Sequence, residues 1–600
     1  MPYTPTIQDA SPHALTQPRT IISPAKKGRL AGQKAIVVAF NVPIAAHGNR
    51  LLKSIQQNPN LSLKAYTGAS DEQETVWRAV LEGDGHVIVD SVAGSGKSWT
   101  VFGAVCQLVK LGVGVEVRTY HSLGLDTIKA NTARRVDVVK PAYVRGLVEK
   151  ASQDPAAPAQ VRGMDFGERR KAVGYAVKIL GMCKSGLIDV RSDEGFELLM
   201  RTAREKGLDT SAREWHIGVY LASSVLHEQI EDAGRGSGPL KVVYDDMCWL
   251  PMQLGWKVPR FDFVFVDELQ DTSLDQQALA LAAVGIGGKR GRLIGVGDSR
   301  QAIYAFRGAA TGAMARMSAA LRVDGQRGVE ELRLSVTRRC PKSAVGLAKV
   351  IVPWIEALPD AIEGKIRVTT EGKAVQEIAA KLRRREYGEG SARQVMVICR
   401  INADLIGFAY ELIKAGVAAS VMGREIGEGL VELVEKLTGD TQDDFADSVE
   451  DWYEQSAARA RKLKDKEERD ERLAKLYDSY LCIVALAETV VDVVASQRMR
   501  NAPISFRDAV LTRLNELFSD ETSNRVVCGT IHRTKGLEAR TVYILRPDIL
   551  GWSKQAKTEE DKQQERNLAY IAVTRWLEQG VFVEANGVGV PEVFEQKVVG

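Results

Sequence analysis

The chain has 600 residues, 81 Lys and Arg against 77 Asp and Glu, and a formal net charge of +4. That length exceeds what one core supports, so several domains are expected, and 45% hydrophobic with 26% charged residues excludes wholesale disorder. The weak net charge excludes a globally basic coat, so any nucleic-acid surface has to be a local groove.

Seven cysteines (residues 106, 183, 248, 340, 399, 482 and 528) form no C-x-x-C pair. This argues against a structural zinc or a disulfide framework and fits a reducing cytoplasm, the expected location. No apolar run approaches the roughly 20 residues needed to cross a bilayer, so no membrane partner is expected. Residues 1–33 begin MPYTPTIQDASPHALTQPRT, which lacks the apolar core of a secretory signal and reads as a flexible tail.

The first element is AIVVAFNVPIAAHGNRLL, 35–52: a buried strand over 36–40, a polar Asn41, then a helix-like stretch. A strand that turns into a helix at a polar residue belongs at the working edge of a parallel sheet. Next comes HVIVDSVAGSGKSWT, 86–100, a strand, a glycine turn and a helix start. Ala93, Gly94, Ser95, Gly96, Lys97, Ser98 and Trp99 form the turn expected to hold a triphosphate. The glycines let backbone N–H groups face phosphate oxygens, Lys97 would reach the β/γ-phosphates, and Ser98 would hold Mg²⁺. Ser91 stands where the strict pattern has a glycine.

Residues 126–255 read as a helical insertion, after which FVFVDELQD, 263–271, delivers Asp267 and Glu268 to a strand's C-terminal end. Asp267 suits Mg²⁺ coordination, directly or through water, and Glu268 can orient and deprotonate an attacking water. A carboxylate pair behind a loop lysine points to ATP hydrolysis rather than nucleotide binding alone. A second alternating set follows, with strands expected at 394–400, 418–423, 525–532 and 541–546 and a helix at 403–415. It is interrupted by a reduced helical insertion at 430–515 that carries the solvated run ARARKLKDKEERDERLAKLYDSY.

Several further stretches, taken together, resemble the motifs of a UvrD/Rep-like helicase of superfamily 1, of a compact phage or prophage type. These are DEQETV (71–76), VRTYHSLG (117–124), VGDSRQAIYAFRGA (296–309), LSVTRRCPKS (334–343), GTIHRTKGLEAR (529–540) and ERNLAYIAVTRW (565–576). The resemblance implies an α/β fold with two RecA-like parallel-sheet domains of the P-loop NTPase kind, each with a mostly helical insertion. The first would comprise 34–125 and 256–327, the second 328–429 and 516–600.

The resemblance also assigns roles. Gln73 would read adenine, Gln301 and Arg307 would sense the γ-phosphate, and Arg339 would contact phosphate. Arg338 stands where a stacking Tyr is usual, Gly536 and Glu538 would lie at the ribose, and Arg575 would be the arginine finger. Thr119, Tyr120, His121, Tyr304, Phe306, Thr530 and His532 would meet DNA, together with Phe40 and Asn41. His121 and His532 are equally consistent with strand-end structural roles, and Tyr304 and Phe306 with a buried strand face. Tyr244, Asp245, Asp246 and Met247 read as a structural element.

The implied activity is ATP-driven movement along single-stranded DNA, 3′→5′, with strand separation, using ATP and Mg²⁺ in a cleft between the two halves. Implied partners are single-stranded and tailed duplex DNA, and replication or repair proteins. The same motifs serve translocases that displace proteins without unwinding, and helicase subunits of larger recombination or repair complexes.

One feature departs from the family's order. Its strand–Asn–helix unit normally follows the phosphate-loop helix, whereas here Lys110–Gly114 leads directly into the Tyr120-His121 strand. The simplest account is that 34–57 is that unit displaced in sequence, with its strand expected beside both 87–90 and 115–119.

Overall fold

The computed structural model describes residues 30, 32–39, 45–46, 49–50, 52–53, 68–205, 208–285, 291–303, 312–323, 327–384, 394–422, 424–461, parts of 469–494, 504–517, 525–551 and 559–594. The chain divides into two units, Thr4–Val336 and Thr337–Gly600 with Met1–Tyr3.

In the first unit, six strands form one parallel sheet: β1 (Lys34–Ala39), β2 (His86–Ser91), β3 (Gly114–Thr119), β4 (Phe263–Val266), β5 (Arg292–Gly297) and β6 (Val329–Leu334). Their order across the sheet is β3-β1-β4-β5-β2-β6. The inner strands are buried almost end to end, as their unbroken apolar runs require of strands covered on both faces. The edge strand β6, sequence VEELRL, carries charges on its exposed positions, which hid it from a search for apolar runs. It also carries the first sheet past the boundary expected at 327.

The expectation that β1 lies beside both 87–90 and 115–119 is not met, and the displacement account that required both neighbours fails on that condition. Strand β1 pairs with β3, Val37 opposite Val117, but its other neighbour is β4, Val37 opposite Phe265, and not the phosphate-loop strand. Both edges of β2 are already taken, by β5 and β6. With Ala35–Ala39 wholly buried, β1 is an inner strand of the sheet and its C-terminal end lies against Asp267, whose N–H donates to the Val38 carbonyl at 3.3 Å. Phe40 and Asn41 lie outside the described residues.

The helices of this unit that position the site are α1 (Asp71–Glu82), α2 (Lys97–Lys110) and α3 (Tyr120–Asn131). The segment 142–253 is mostly helical. Here α4 (Ala142–Ala151), α5 (Phe166–Gly186), α6 (Asp193–Glu205), α7 (Arg213–Arg235) and α8 (Tyr244–Gln253) enclose their own core around Ile179, Trp215, Leu221 and Val225. A buried ion pair, Lys184 Nζ to Asp246 Oδ1 at 2.6 Å, fixes α8 against α5. Asp246 Oδ2 also accepts from the Val243 N–H, so this residue is structural, as its sequence context suggested. The unit is completed by α9 (Leu274–Val284) and α10 (Ala313–Val323).

The second unit repeats the plan with β7 (Lys365–Thr369), β8 (Val395–Cys399), β9 (Ala419–Val421), β10 (Val526–Thr530), β11 (Ala539–Leu545) and β12 (Trp576–Val583). All pairs are parallel, in the order β7-β12-β11-β8-β10-β9. Helices α11 (Glu371–Arg383), α12 (Asn402–Lys414), α13 (Arg424–Val434), α14 (Gln442–Arg461), α15 (Phe506–Leu517) and α16 (Glu559–Val573) accompany it. Leu430, Phe445, Val510 and Leu514 of the second insertion share one core with Val397, Val421 and Val526 of the sheet. That insertion is therefore built onto the sheet rather than around a core of its own. Two parallel-sheet domains of RecA-like plan are what the sequence led us to expect.

Candidate nucleotide and nucleic-acid sites

The phosphate turn is set by backbone geometry. Gly94 and Gly96 have φ of +73° and +84°, and Gly96 is the residue that begins α2. A side chain is disfavoured in that left-handed region, so glycine is the natural occupant. The first N–H groups of α2 have no helical partner and, with the helix dipole, face an anion. Ser95 is buried, and its Oγ has no hydrogen-bond partner among the described residues, a polar atom that a phosphate oxygen would satisfy. The residues present therefore fit a nucleotide triphosphate. The missing glycine is accounted for: β2 runs on through Ser91, opposite Leu334, and the Ser91 hydroxyl donates to the Gly297 carbonyl at 2.5 Å.

Gln73 is held over this turn. It is the third residue of α1, in a capping box where its Oε1 accepts from the Ser70 N–H at 3.1 Å. Its Nε2 donates to the Ser95 carbonyl and the Thr100 Oγ1 at 3.3 and 3.1 Å. Behind it Trp77 stacks at 5.4 Å on Trp99 and donates from its indole to the Thr100 carbonyl. Gln73, expected to read adenine, is thus bonded to the phosphate turn itself.

Ser98 Oγ donates to Asp267 Oδ2 at 2.9 Å, which brings together the two residues expected to hold Mg²⁺. Burial, and then the neighbouring Glu268, push the Asp267 carboxyl up to about 6, opposed by Ser98 and the Lys97 charge. Glu268 has φ +52°, a strained conformation for a residue with a side chain. Its Oε2 accepts from Gln270 Nε2 at 2.6 Å, and Gln270 Oε1 in turn accepts from the Asp298 N–H at 2.9 Å. Gln301 Nε2 donates to Asp298 Oδ2 at 2.5 Å. Burial raises the Asp298 carboxyl to about 6, with Lys97 pulling the other way. Ser98, Asp267, Glu268 and Gln301 therefore belong to one hydrogen-bonded network, which the charge of Lys97 influences at Asp267 and Asp298. Gln270 and Asp298 are the links, and sequence reasoning gave neither a role although both stand in the motifs quoted above. Arg307, Tyr304 and Phe306 lie outside the described residues.

The DNA-facing expectations separate here. Thr119 caps α3, accepting from the Ser122 N–H at 3.2 Å. Tyr120 is 1% exposed, in a core with Leu123, Cys248 and Leu269. Its ring cannot reach a strand on the surface, so its expected DNA contact is corrected. The exposed aromatic is Tyr244, 58% accessible, which meets His121 edge-to-face at 5.5 Å and 88°. Gly124 makes this possible, since a Cβ there would stand 2.0 Å from the Met247 carbonyl oxygen. The close approach of α3 and α8 carries Tyr244 to His121. Burial lowers the His121 pKa, against Asp245, which favours a neutral ring.

In the second unit Arg339 Nη1 meets Glu538 Oε2 at 3.2 Å, so the expected phosphate and ribose residues are neighbours. Gly536 is exposed with φ +87°, and Arg338 is exposed. Arg575 is buried at 1% exposure. Its guanidinium donates to the carbonyls of Ile571 and Leu537 and to Thr574 Oγ1 at 2.9–3.1 Å. Burial, and then the charge of Arg339, lower its pKa to about 9, which leaves it cationic at neutral pH. Thr530 ends β10, and its carbonyl accepts from Arg533 and Thr534, shaping the turn that carries the half-buried His532.

Residues 256–321 match the model of the UvrD/REP helicase N-terminal domain, and residues 425–578 that of the UvrD-like helicase C-terminal domain. The first match covers β4 and β5 with the carboxylate network, the second β10, β11 and the start of β12 with Glu538 and Arg575. No curated protein matches the chain.

Proposed function

Because the chain belongs to the UvrD/Rep-like helicases, we propose that it couples ATP hydrolysis to 3′→5′ movement along single-stranded DNA and to strand separation. The observation that carries the reading is the single network joining Ser98, Asp267, Glu268, Gln270, Asp298 and Gln301 behind a phosphate turn. Binding alone would not need a second carboxylate, Glu268, held by Gln270 beside Asp267.

In this reading Gly94, Gly96 and the start of α2 receive the β- and γ-phosphates, and Lys97 neutralises their charge. Ser98 and ionised Asp267 hold Mg²⁺, which polarises the γ-phosphoryl group when bound. Glu268, held by Gln270, orients the water and takes its proton, while Gln301 reports the γ-phosphate to the turn that follows β5. In the second unit Arg339, Glu538 and Arg575 are the residues that the family resemblance assigns to nucleotide contact. His121 and Tyr244 offer stacking faces to bases, and Thr119, Thr530 and His532 lie at strand ends or turns suited to the DNA backbone.

The test is ATP turnover with and without single-stranded DNA, followed by unwinding of 3′- and 5′-tailed duplexes. Lys97→Ala or Glu268→Gln should abolish DNA-stimulated turnover while leaving DNA binding largely intact. Unchanged turnover in either variant would sink the assignment. Turnover without strand displacement would favour a protein-stripping translocase.

A further inference from the structure

We propose that Asp90 and Ser91 are positioning residues that bind the Gln301 turn to the phosphate-loop strand, so that the two move as one body. The inference rests on the hydrolysis reading above and adds to it residues outside the expected site.

The backbone supplies only part of this tie. Strands β2 and β5 are in register up to Asp90 opposite Gly297, where the ladder ends. Beyond it, Asp298–Gln301 is a single turn of 3₁₀ helix capped by Asp298. Side chains of β2 continue the pairing past that end. Asp90 accepts from the Ser299 N–H through Oδ1 and from the Ser299 hydroxyl through Oδ2, both at 3.0 Å. Ser91 Oγ donates to the Gly297 carbonyl at 2.5 Å. Three hydrogen bonds, two of them to a carboxylate, therefore anchor the segment that carries Asp298 and Gln301.

The same end of that segment is also held by Gln270, which accepts from the Asp298 N–H and donates to Glu268. Gly297 between them leaves no room for a side chain, because a Cβ there would stand 2.4 Å from Gln270 Oε1. Gln301 is fixed through Asp298, so its position is set by two residues: Gln270 from the turn after β4 and Asp90 from β2. The phosphate turn begins directly after Ser91 and ends at Lys97 on α2. A displacement of that turn by a bound triphosphate passes through Asp90 to Ser299, and from there to Asp298 and Gln301. Sequence alone flagged Ser91 only as a departure from a glycine and passed over Asp90.

The predicted signature is a change in turnover without a change in nucleotide affinity. Asp90→Ala in the full chain should lower kcat for ATP by tenfold or more, with KM for ATP within twofold of native. Asp90→Asn keeps an acceptor for the Ser299 N–H and should recover most of the rate. Ser299→Ala should cost less than Asp90→Ala, because the backbone bond survives, and the double variant should be no slower than Asp90→Ala alone. Hydrogen exchange of the 297–301 amides should speed up in Asp90→Ala with or without nucleotide. A raised KM at unchanged kcat, additive losses in the double variant, or unaltered exchange at 297–301 would each overturn the proposal. If the native chain itself fails to hydrolyse ATP, the hydrolysis reading falls. The exchange measurement then still decides whether the tether exists.

Discussion

Replacing Asp275 with Asn should stabilise the first unit, and more so at pH 8 than at pH 5. Asp275 stands in the first turn of α9, buried, where its Oδ1 accepts from the Ser273 hydroxyl. Burial pushes its carboxyl up from 3.8 to about 7, against the Ser273 hydroxyl and the Gln276 N–H, and nearby Asp245 adds to the rise. Between those two values the folded chain keeps a proton that the unfolded chain has released. Stability from this residue is therefore greatest below the lower value and is lost as the pH climbs to the upper one. At about 1.4 kcal/mol per pH unit, the full interval corresponds to about 4 kcal/mol, of which less than half is incurred by pH 5. Asn retains an acceptor for Ser273 and carries no charge. Urea unfolding of native chain and variant at both pH values measures the gain, which should be larger at pH 8 by about 3 kcal/mol. Any fixed cost of a buried amide cancels in that difference, as do Asp267 and Asp298, which both proteins share. Equal gains at the two pH values would refute the reasoning.

Three other outcomes follow from the site. Only the ionised Asp267 can hold Mg²⁺, and burial with Glu268 raises its carboxyl to about 6, so ATP turnover should fall as the pH drops through that value. Added Mg²⁺ should move the falling limb to lower pH, and a flat profile from pH 8 to 5 would contradict it. Tyr244→Ala should weaken single-stranded DNA binding by about 1–3 kcal/mol. Tyr120→Phe should leave binding unchanged and stability equal or higher, because the Tyr120 hydroxyl has no partner among the described residues. A fluorescence-anisotropy titration with the opposite ranking would reverse our assignment of the exposed ring. Arg575→Ala removes bonds to two carbonyls and a hydroxyl and should destabilise the nucleotide-free second unit by about 3 kcal/mol in chemical unfolding. An undiminished midpoint would show that its buried bonds contribute nothing.

What could be read from the sequence was whatever is local. The phosphate turn needs glycines at Gly94 and Gly96, and the carboxylates need a strand to end at Val266, so both wrote themselves into short strings. Tyr120 and Tyr244 show the limit. Each is an aromatic at the start of a helix beside polar residues, and only the crossing at Gly124 decides which one is covered. The Asp90–Ser299 pair spans 209 positions, a distance at which no periodicity or spacing rule acts. Strand β6 escaped because an edge strand protects itself with charge, which makes it look like surface.

The position of β1 bears on how the chain comes to fold. Lys34 reaches its partner Asp262 across 228 positions of sequence, so the inner strand of the sheet is synthesised long before the strand that flanks it. During translation β3 can pair with β1 at once, but the other edge of β1 stays open until β4 has left the ribosome. Nearly the whole helical insertion is made in that interval, and it encloses a core of its own. A self-contained helical body thus forms while an apolar strand edge waits; the arrival of Phe263–Val266 closes that edge, and β5 then joins β4 to the phosphate-loop strand β2.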